Sequence, residues 1–236
     1  MTEPVVARVA ELWRYPVKSM AGERLTAAEL SWQGLSGDRR WAFVRPGRGH
    51  TGFPWLTIRQ QSRLHHYRPT LVDPDRPDRS VVWVTDPEGQ VYAVDDPALA
   101  ARFGVGVFAI KHDRGTFDAS PVSLVTRQGL EALSRRVGAD VDARRFRPNL
   151  VLDAPGTEEF PEDGWVGRLL GIGTAVVRVD KSDERCAVVN LDPDSLARNS
   201  DVLRTIVRQR AMCFGVYGST VTPGVLRLDD PVMLVG

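Results

Sequence analysis

Cys186 is the residue of this sequence whose side chain offers the widest range of chemistry. It is one of two cysteines among 236 residues, and it stands between two strand-like runs, 174–179 and 186–191. A thiolate presented between strands can act as a nucleophile, a redox centre or a ligand for a soft metal ion. A buried cysteine that only packs against its neighbours is the alternative. The polar clusters elsewhere in the chain favour the chemical interpretation.

Two clusters in the first half of the chain offer groups that bind anions. Lys18 and Ser19 are adjacent in a predicted loop, where an ammonium and a hydroxyl can hold a phosphate. Arg39 follows Asp38 and precedes a second arginine. Because side chains alternate along a strand, we expect one of these two arginines to point inward and bind an anion. A solvated loop and a surface Asp–Arg pair are the respective alternatives.

Two more clusters lie in the second half. Asp118 and Ser120 precede an apolar run, where they can cap a turn or offer a carboxylate and a hydroxyl to a polar ligand. Three arginines then occur within four residues before Asn149 and a strand pattern: Arg144, Arg145 and Arg147. Charges of this density are costly to place against a core without an anionic partner, and guanidinium groups suit phosphate. The sequence therefore predicts an anion site here.

The composition excludes several classes of protein. The net charge of +1 gives no general attraction to nucleic acid, and no apolar run is long enough to span a membrane. Two distant cysteines exclude a disulfide scaffold and a cysteine-ligated iron–sulfur cluster, and they fit a reducing compartment. The first residues show no signal peptide. We therefore expect a cytoplasmic protein that binds neither nucleic acid nor membranes.

The elements predicted around these clusters are many short strands and few helices. A hairpin is predicted over 81–94, and strands are predicted over 165–170 and 186–191. Helices are predicted over 127–137 and 201–210, the first with Thr126 as N-cap and Gly138 as its end. Cys213 follows the second helix in an apolar setting and is expected in the core. The fold class is therefore mainly β with a few helices (α+β), arranged as a closed or nearly closed barrel.

Five short motifs occur in the order Lys-Ser, Asp-Arg-x-Trp, Asp-x-Ser-Pro, Arg-Phe-Arg-Pro-Asn and Arg-Cys. In this order they resemble the MOSC-domain proteins that carry a MOSC N-terminal β-barrel region, among them the mitochondrial amidoxime-reducing component and its bacterial relatives. The resemblance covers nearly the whole chain. It implies a MOSC-type β-barrel packed with an N-terminal β-barrel-like region, with residues 1–112 as the N-terminal region, contributing the Lys18 and Ser19 loop to the site, and residues 113–236 as the MOSC domain.

The resemblance also implies roles for single residues. It makes Cys186 the ligand of molybdenum in a molybdenum cofactor (Mo-molybdopterin), and it places Asp118 near the metal as a catalytic group for proton delivery. Contacts to the cofactor are implied for residues of all the clusters: Lys18, Ser19, Arg39, Ala119, Ser120, Arg145, Arg147, Asn149 and Glu184. Ala119 weakens a polar pair of the family. Glu184 adds a negative charge beside the thiolate, which can shift substrate choice or redox potential.

The activity that the resemblance implies is the two-electron reduction of N-hydroxylated compounds such as amidoximes, hydroxylamines and N-oxides. In that chemistry the metal carries the redox step and the protein orients and shields it. Because the chain ends after its last predicted strand, we expect electrons from a separate donor protein of the ferredoxin, flavodoxin or cytochrome b5 type with its reductase. Two alternatives stay open: a molybdenum-cofactor or sulfur carrier that uses Cys186, and a non-catalytic anion-binding β-barrel.

Overall fold

The computed structural model describes residues 4–48 and 51–236. These residues form sixteen β-strands, three α-helices and four 3-10 helices, so the predicted fold class, mainly β with a few helices, is confirmed. The expectation that the chain begins without a signal peptide falls partly on Met1, Thr2 and Glu3, which lie outside the described residues.

The bounds of the elements follow the chain order. The strands are β1 (Val5–Arg14), β2 (Glu23–Leu25), β3 (Ala27–Ser31), β4 (Gly34–Leu35), β5 (Trp41–Val44), β6 (Arg68–Leu71), β7 (Val82–Thr85), β8 (Val91–Ala93), β9 (Phe108–Lys111), β10 (Val122–Thr126), β11 (Leu150–Asp153), β12 (Leu169–Ile172), β13 (Ala175–Glu184), β14 (Cys213–Thr222), β15 (Gly224–Arg227) and β16 (Pro231–Val235). The α-helices are α1 (Pro97–Ala101), α2 (Arg127–Val137) and α3 (Ser200–Gln209). The 3-10 helices span Ser62–His66, Ala143–Phe146, Pro161–Trp165 and Ala187–Asn190.

The chain divides into two compact units, each made of separate segments. Unit 1 comprises Met1–Trp13, Arg24–Ser36 and Ala119–Gly236. Unit 2 comprises Arg14–Glu23 and Gly37–Asp118. Each unit is described by itself below.

Seven strands of unit 1 close into a barrel. Their order is β11-β10-β14-β13-β12-β16-β1, and β1 pairs antiparallel with both β16 and β11, which completes the ring. Neighbouring strands are antiparallel except β10 and β11, which run parallel. Alternate aliphatic side chains fill the interior, among them the fully buried Leu12, Leu124 and Val177. This alternation is what a strand with one face on a core requires.

A second core lies between helices α2 and α3 and the strands that they cover. Helix α2 has the predicted bounds, because Thr126 accepts the backbone N–H of Gly129 and Gly138 ends the helix with a φ of 75°. Helix α3 begins and ends one residue before the predicted positions. The buried members of this core include Leu133, Phe146, Val189, Ile206 and Phe214.

Unit 2 contains two small antiparallel sheets. Strand β5 pairs with β9, and β6, β7 and β8 form a three-stranded meander. The hairpin predicted over 81–94 is present as β7 and β8. Its turn is fixed by the carboxylate of Asp86, which accepts the backbone N–H groups of Glu88 at 3.0 Å and Gln90 at 2.8 Å.

Three local predictions were wrong. The predicted strand at 186–191 is the 3-10 helix Ala187–Asn190, because the chain turns at Cys186 and Val189 packs into the second core. The predicted strand at 165–170 begins only at Leu169, after another 3-10 helix. Cys213 is half-buried as the first residue of β14 rather than a core residue, because it lies at the end of the β13–β14 pairing. Tertiary packing overrides local β-propensity in the first two cases.

Candidate functional site

The Cys186 thiol lies at the point where β13 ends and the chain turns. Its backbone is extended, with φ of −117° and ψ of 178°, and it caps the 3-10 helix Ala187–Asn190 by accepting the N–H of Val189 at 3.2 Å. The side chain is half-buried and is not part of a disulfide. A thiol in this position can be reached from outside the barrel wall, unlike that of a cysteine that is fully enclosed by a core.

Arg185 precedes Cys186 and ties this turn to two other segments. Its side chain is only 7% exposed. Nε donates to the carbonyl of Phe214 at 2.8 Å, and Nη1 donates to the carbonyl of Phe146 at 3.0 Å. Nη2 lies 2.7 Å from the carboxylate of the buried Asp183. Three fixed partners on three segments hold the residue before Cys186 in one place.

Sequence reasoning assigned no role to Arg185, although a signal was present. In β13 the inward positions are aliphatic up to Val179, and the two residues that follow at inward positions near its end are Asp183 and Arg185. Opposite charges at consecutive inward positions predict a buried ion pair. Glu184 lies between them and is exposed, in register with Cys213 across the ladder.

The arginine cluster of unit 1 is divided between different surroundings. Arg145 is buried, and its Nη2 forms an ion pair with Asp192 at 2.8 Å. Its Nη1 donates to the carbonyl of Val189 at 3.5 Å. Arg147 ends the 3-10 helix Ala143–Phe146 in the left-handed conformation, with a φ of 53°, and is half-buried. Of the two cofactor-binding candidates, Arg147 is the more exposed.

Asn149, the third candidate of this motif, joins strands inside the barrel wall. It is 1% exposed. Its Oδ1 accepts the backbone N–H of Ser123 at 3.1 Å, and its Nδ2 donates to the carbonyl of Trp13 at 3.2 Å. These contacts give Asn149 a structural role between β1 and β10, whatever else it binds.

In unit 2 the structure brings Lys18 and Asp118 into direct contact. The Lys18 side chain is 5% exposed, and its Nζ donates to Asp118 Oδ1 at 2.5 Å and to the carbonyl of Thr116 at 2.6 Å. The ammonium also lies 5.2 Å from the centre of the Phe53 ring. The Asp118 side chain is 57% exposed. A buried ammonium thus faces a carboxylate that solvent can reach.

The electrostatics of this pair keep Asp118 ionised. Desolvation alone would raise the pKa of Asp118, but the charge and hydrogen bond of Lys18, with smaller contributions from Arg39 and Arg59, lower it overall. A carboxylate with a lowered pKa accepts a proton at neutral pH rather than supplying one. If Asp118 takes part in proton delivery, its resting form is the base.

Ser19 and Arg39 both adopt positive φ in turns of unit 2. Ser19 is buried with a φ of 69°, and Arg39 has a φ of 51°. Arg39 Nη1 donates to Asp38 at 2.5 Å, and its guanidinium lies 4.7 Å from the centre of the Tyr15 ring. Arg39 lies in the turn before β5 rather than in a strand, and of the two arginines it is Arg40 that is fully buried.

The remaining candidates lie where the chain passes from unit 2 to unit 1, between Asp118 and Ala119. Ala119 is exposed and Ser120 is half-buried. Within unit 2, the structure brings together Lys18, Arg39 and Asp118. In unit 1, the 3-10 helix that carries Arg145 is tied to the Cys186 turn through Val189.

Comparisons with known proteins identify the family. A model of the MOSC N-terminal beta barrel domain matches residues 6–115, and a model of the MOSC domain matches residues 110–233. The chain belongs to the MOSC-domain family.

Relatives of this MOSC protein include the mitochondrial amidoxime-reducing component 1 of Mus musculus, which is 26% identical over an alignment that covers 98% of this chain and 83% of the relative. The Homo sapiens protein of the same name is also 26% identical, over 98% of this chain and 84% of its own length. The crystal structure of the YuaD protein from Bacillus subtilis matches 97% of this chain and 95% of its own, with a TM-score of 0.53 and 12% identity. That likeness shows the fold alone.

Across residues 4–48 and 51–236 of this MOSC chain, no three His, Cys, Asp or Glu side chains are grouped as a metal site. In the same part of the chain, no helix is long and apolar enough to cross a membrane.

Proposed function

We propose that this MOSC-domain protein is a molybdenum-cofactor-dependent reductase of N-hydroxylated compounds, namely amidoximes, hydroxylamines and N-oxides. The observation that carries the proposal is the half-buried Cys186 thiol, held in a turn at the end of β13 by buried contacts of the residue before it. Two relatives that align with 98% of the chain are named amidoxime-reducing components, which supports the reductase over other uses of the thiol.

The residues fit the cofactor that the family resemblance implies. A single thiolate suits molybdenum, a metal with an affinity for soft sulfur ligands, when the remaining ligands come with the cofactor. The half-buried guanidinium of Arg147 suits a phosphate group, and Arg147 is more exposed than the buried Arg145. We therefore propose Cys186 as the metal ligand and Arg147 as an anion-binding residue. The bound cofactor would supply the two-electron chemistry.

The unit 2 candidates enter the proposal with defined roles. Lys18 and Arg39 are proposed to bind the cofactor through their cationic groups, and Asp118 is proposed to accept a proton. An anion that binds Lys18 has to share the ammonium with Asp118, which lies 2.5 Å from it. This competition predicts that binding of an anion at Lys18 raises the pKa of Asp118, because the carboxylate then loses part of its cationic partner.

The electrons are proposed to come from a separate donor protein, and the cytoplasmic location stays a prediction. The division into residues 1–112 and 113–236 also stays a proposal. A carrier of the cofactor or of sulfur would use the same thiol, so turnover has to be measured separately from binding.

The test compares the wild type with Cys186→Ser, both produced in a host that makes the cofactor. Molybdenum is measured by elemental analysis, and reduction of a simple aromatic amidoxime is measured with a reduced viologen as electron donor. We expect metal and turnover in the wild type and loss of both in the variant. Cys213→Ser is the matched control. It should keep both molybdenum and turnover, because Cys213 is the first residue of the neighbouring strand β14 and is not proposed as a metal ligand.

Each outcome of this experiment decides between the functions. Metal retained by Cys186→Ser would refute Cys186 as the ligand. Metal in the wild type without amidoxime reduction would replace the reductase by a cofactor carrier. The host must be shown to load another molybdenum enzyme. If the wild type then contains no metal, the protein shares only its fold with the family, and the proposed function is overturned.

A further inference from the structure

We propose that Arg185 is a positioning residue that fixes the Cys186 thiol relative to the Arg147 segment. This inference rests on the proposed function only in giving Cys186 and Arg147 a common ligand. We call the group formed by Arg185, Asp183 and the carbonyls of Phe146 and Phe214 the Arg185 clamp. All of its contacts lie in unit 1.

The Arg185 clamp reaches two other segments from one guanidinium. The carbonyl of Phe146 belongs to the peptide that leads into Arg147, and it accepts from Nη1 at 3.0 Å. The carbonyl of Phe214 belongs to β14 and accepts from Nε at 2.8 Å. The backbone N–H of Arg185 donates to the carbonyl of Met212 at 2.9 Å. The peptide that leads into Arg147 is thereby bonded to the side chain of the residue before Cys186.

The guanidinium itself is held in place from two directions. Asp183 is 1% exposed, forms the ion pair with Nη2 at 2.7 Å, and accepts from the Ser123 hydroxyl at 3.3 Å. The guanidinium carbon lies 5.1 Å from the centre of the Phe146 ring. The guanidinium therefore lies between a buried carboxylate and an aromatic ring, both of which favour its charge.

The Arg185 clamp positions the segments that it joins more than it stabilises the fold. A buried ion pair loses much of its electrostatic gain to desolvation, so an apolar side chain of similar volume would stabilise the region about as well. An apolar side chain would not donate to two carbonyls on different segments. Only a rigid fork of N–H groups fixes the distance between the Phe146 peptide and the Cys186 turn.

A second contact supports the same segment from the other side of Cys186. The carbonyl of Cys186 accepts the N–H of Val189 at 3.2 Å, and the carbonyl of Val189 accepts from Arg145 Nη1 at 3.5 Å. Arg145 belongs to the 3-10 helix that ends at Arg147. The Cys186 turn is thus connected to that helix both before and after the cysteine, and the Arg185 contacts are the shorter of the two.

The test uses Arg185→Lys, which keeps the charge but cannot reach both carbonyls. The matched control is Arg210→Lys, because Arg210 is also largely buried, with an ion pair to Asp163 at 2.7 Å, and its guanidinium stacks on Phe160. Both changes are made in wild type and in a Cys213→Ser background. Asp183→Asn, which keeps Arg185 and weakens its anchor, serves if Arg185→Lys does not fold.

Two readouts separate positioning from folding and from the proposed function. In the cofactor-free Cys213→Ser background, the rate of Cys186 alkylation by iodoacetamide should rise about tenfold in Arg185→Lys, the change expected when a charge-assisted hydrogen bond is lost from a local opening equilibrium. In the loaded protein, the rate of molybdenum loss should rise about tenfold or more, as for other residues that orient a metal ligand. The Mo(V) resonance of the loaded variant should also shift.

The control and the possible failures give distinct results. Arg210→Lys should leave both rates within about twofold of the parent protein, because the Arg210 guanidinium contacts Asp163 and Phe160 rather than the carbonyls of Phe146 and Phe214. A folded Arg185→Lys with unchanged alkylation and unchanged metal loss would refute the positioning role. If the wild type binds no molybdenum, the proposed function fails, and the alkylation rate alone still decides whether Arg185 positions the thiol.

Discussion

The side chain of Glu162 is fully buried, and replacing Glu162 by glutamine should stabilise the protein above pH 6. Its Oε2 accepts the Thr126 hydroxyl at 2.5 Å, while Oε1 has no hydrogen-bond partner within the part of the chain that the structure describes. A Cβ atom added at Gly129 would lie 2.9 Å from Oε1, so the carboxyl group sits against the first turn of α2. A buried charge with one unbonded oxygen is unfavourable.

The magnitude follows from the pKa of this group. Burial raises the pKa of Glu162 from 4.5 to about 6, against the opposing effect of the Thr126 hydrogen bond. In the unfolded chain the carboxyl group releases its proton near the ordinary value, whereas in the folded protein it holds the proton up to about pH 6. The folded state therefore binds more protons between these values, and stability falls as the pH rises through them.

The loss amounts to about 2 kcal/mol, from 1.36 kcal/mol for each pKa unit. Glutamine stays neutral at all pH values and avoids this loss. We expect Glu162→Gln to exceed the wild type in free energy of unfolding by up to about 2 kcal/mol at pH 7.5, and to match it near pH 4. Urea unfolding followed at pH 4, 5, 6 and 7.5 measures the difference.

The control for this experiment is Glu131→Gln, which removes an exposed carboxylate from helix α2. It should leave the free energy of unfolding within about 0.5 kcal/mol of the wild type at all four pH values, as for most surface substitutions. A Glu162→Gln protein that is less stable than the wild type at pH 7.5, by the same amount as at pH 4, would refute the reasoning. It would mean that the N-terminus of α2 compensates the buried charge fully.

Four further predictions concern candidate residues of units 1 and 2. Cys186→Ser should lose molybdenum and turnover, and Arg185→Lys should accelerate both alkylation and metal loss, as set out above. Asn149→Ala should lower the free energy of unfolding by about 2–4 kcal/mol, because it leaves the buried Ser123 N–H and Trp13 carbonyl without their partner; a loss below about 0.5 kcal/mol in urea unfolding would remove its structural role. Asp118→Asn should retain molybdenum but lose turnover, because the amide cannot accept a proton; equal turnover at equal metal content would exclude Asp118 from proton delivery.

Local signals predicted the elements whose ends depend on neighbouring residues. Helix α2 is the clearest case, because its N-cap at Thr126 and its end at Gly138 both act within one helical turn. The hairpin of β7 and β8 is another, since Asp86 fixes the turn with its own side chain. The closed order of the barrel strands depends on pairings between distant segments, which periodicity in one segment does not contain.

The same distinction between local and distant contacts explains why the sequence predicted the candidate site only in part. The motif Arg-Phe-Arg-Pro-Asn indicated polar chemistry, but its members have different partners: Asp192 for Arg145, and Ser123 with Trp13 for Asn149. These partners are far away in sequence, so the local motif does not predict them. Burial also differs within the motif: Arg145 is buried, whereas Arg147, the residue proposed to bind an anion, is half-buried.

The end of β13 shows how buried charge and the position of Cys186 are connected. If the aliphatic alternation of β13 continued past Glu184, Cys186 would be one more member of a strand. Instead, Asp183 and Arg185 occupy inward positions, and Nε and Nη1 of Arg185 find acceptors only where the carbonyls of β14 and of the Phe146 segment are both within reach. The chain turns directly after that point. The buried ion pair at the end of β13 therefore lies directly before the turn that presents the half-buried thiol.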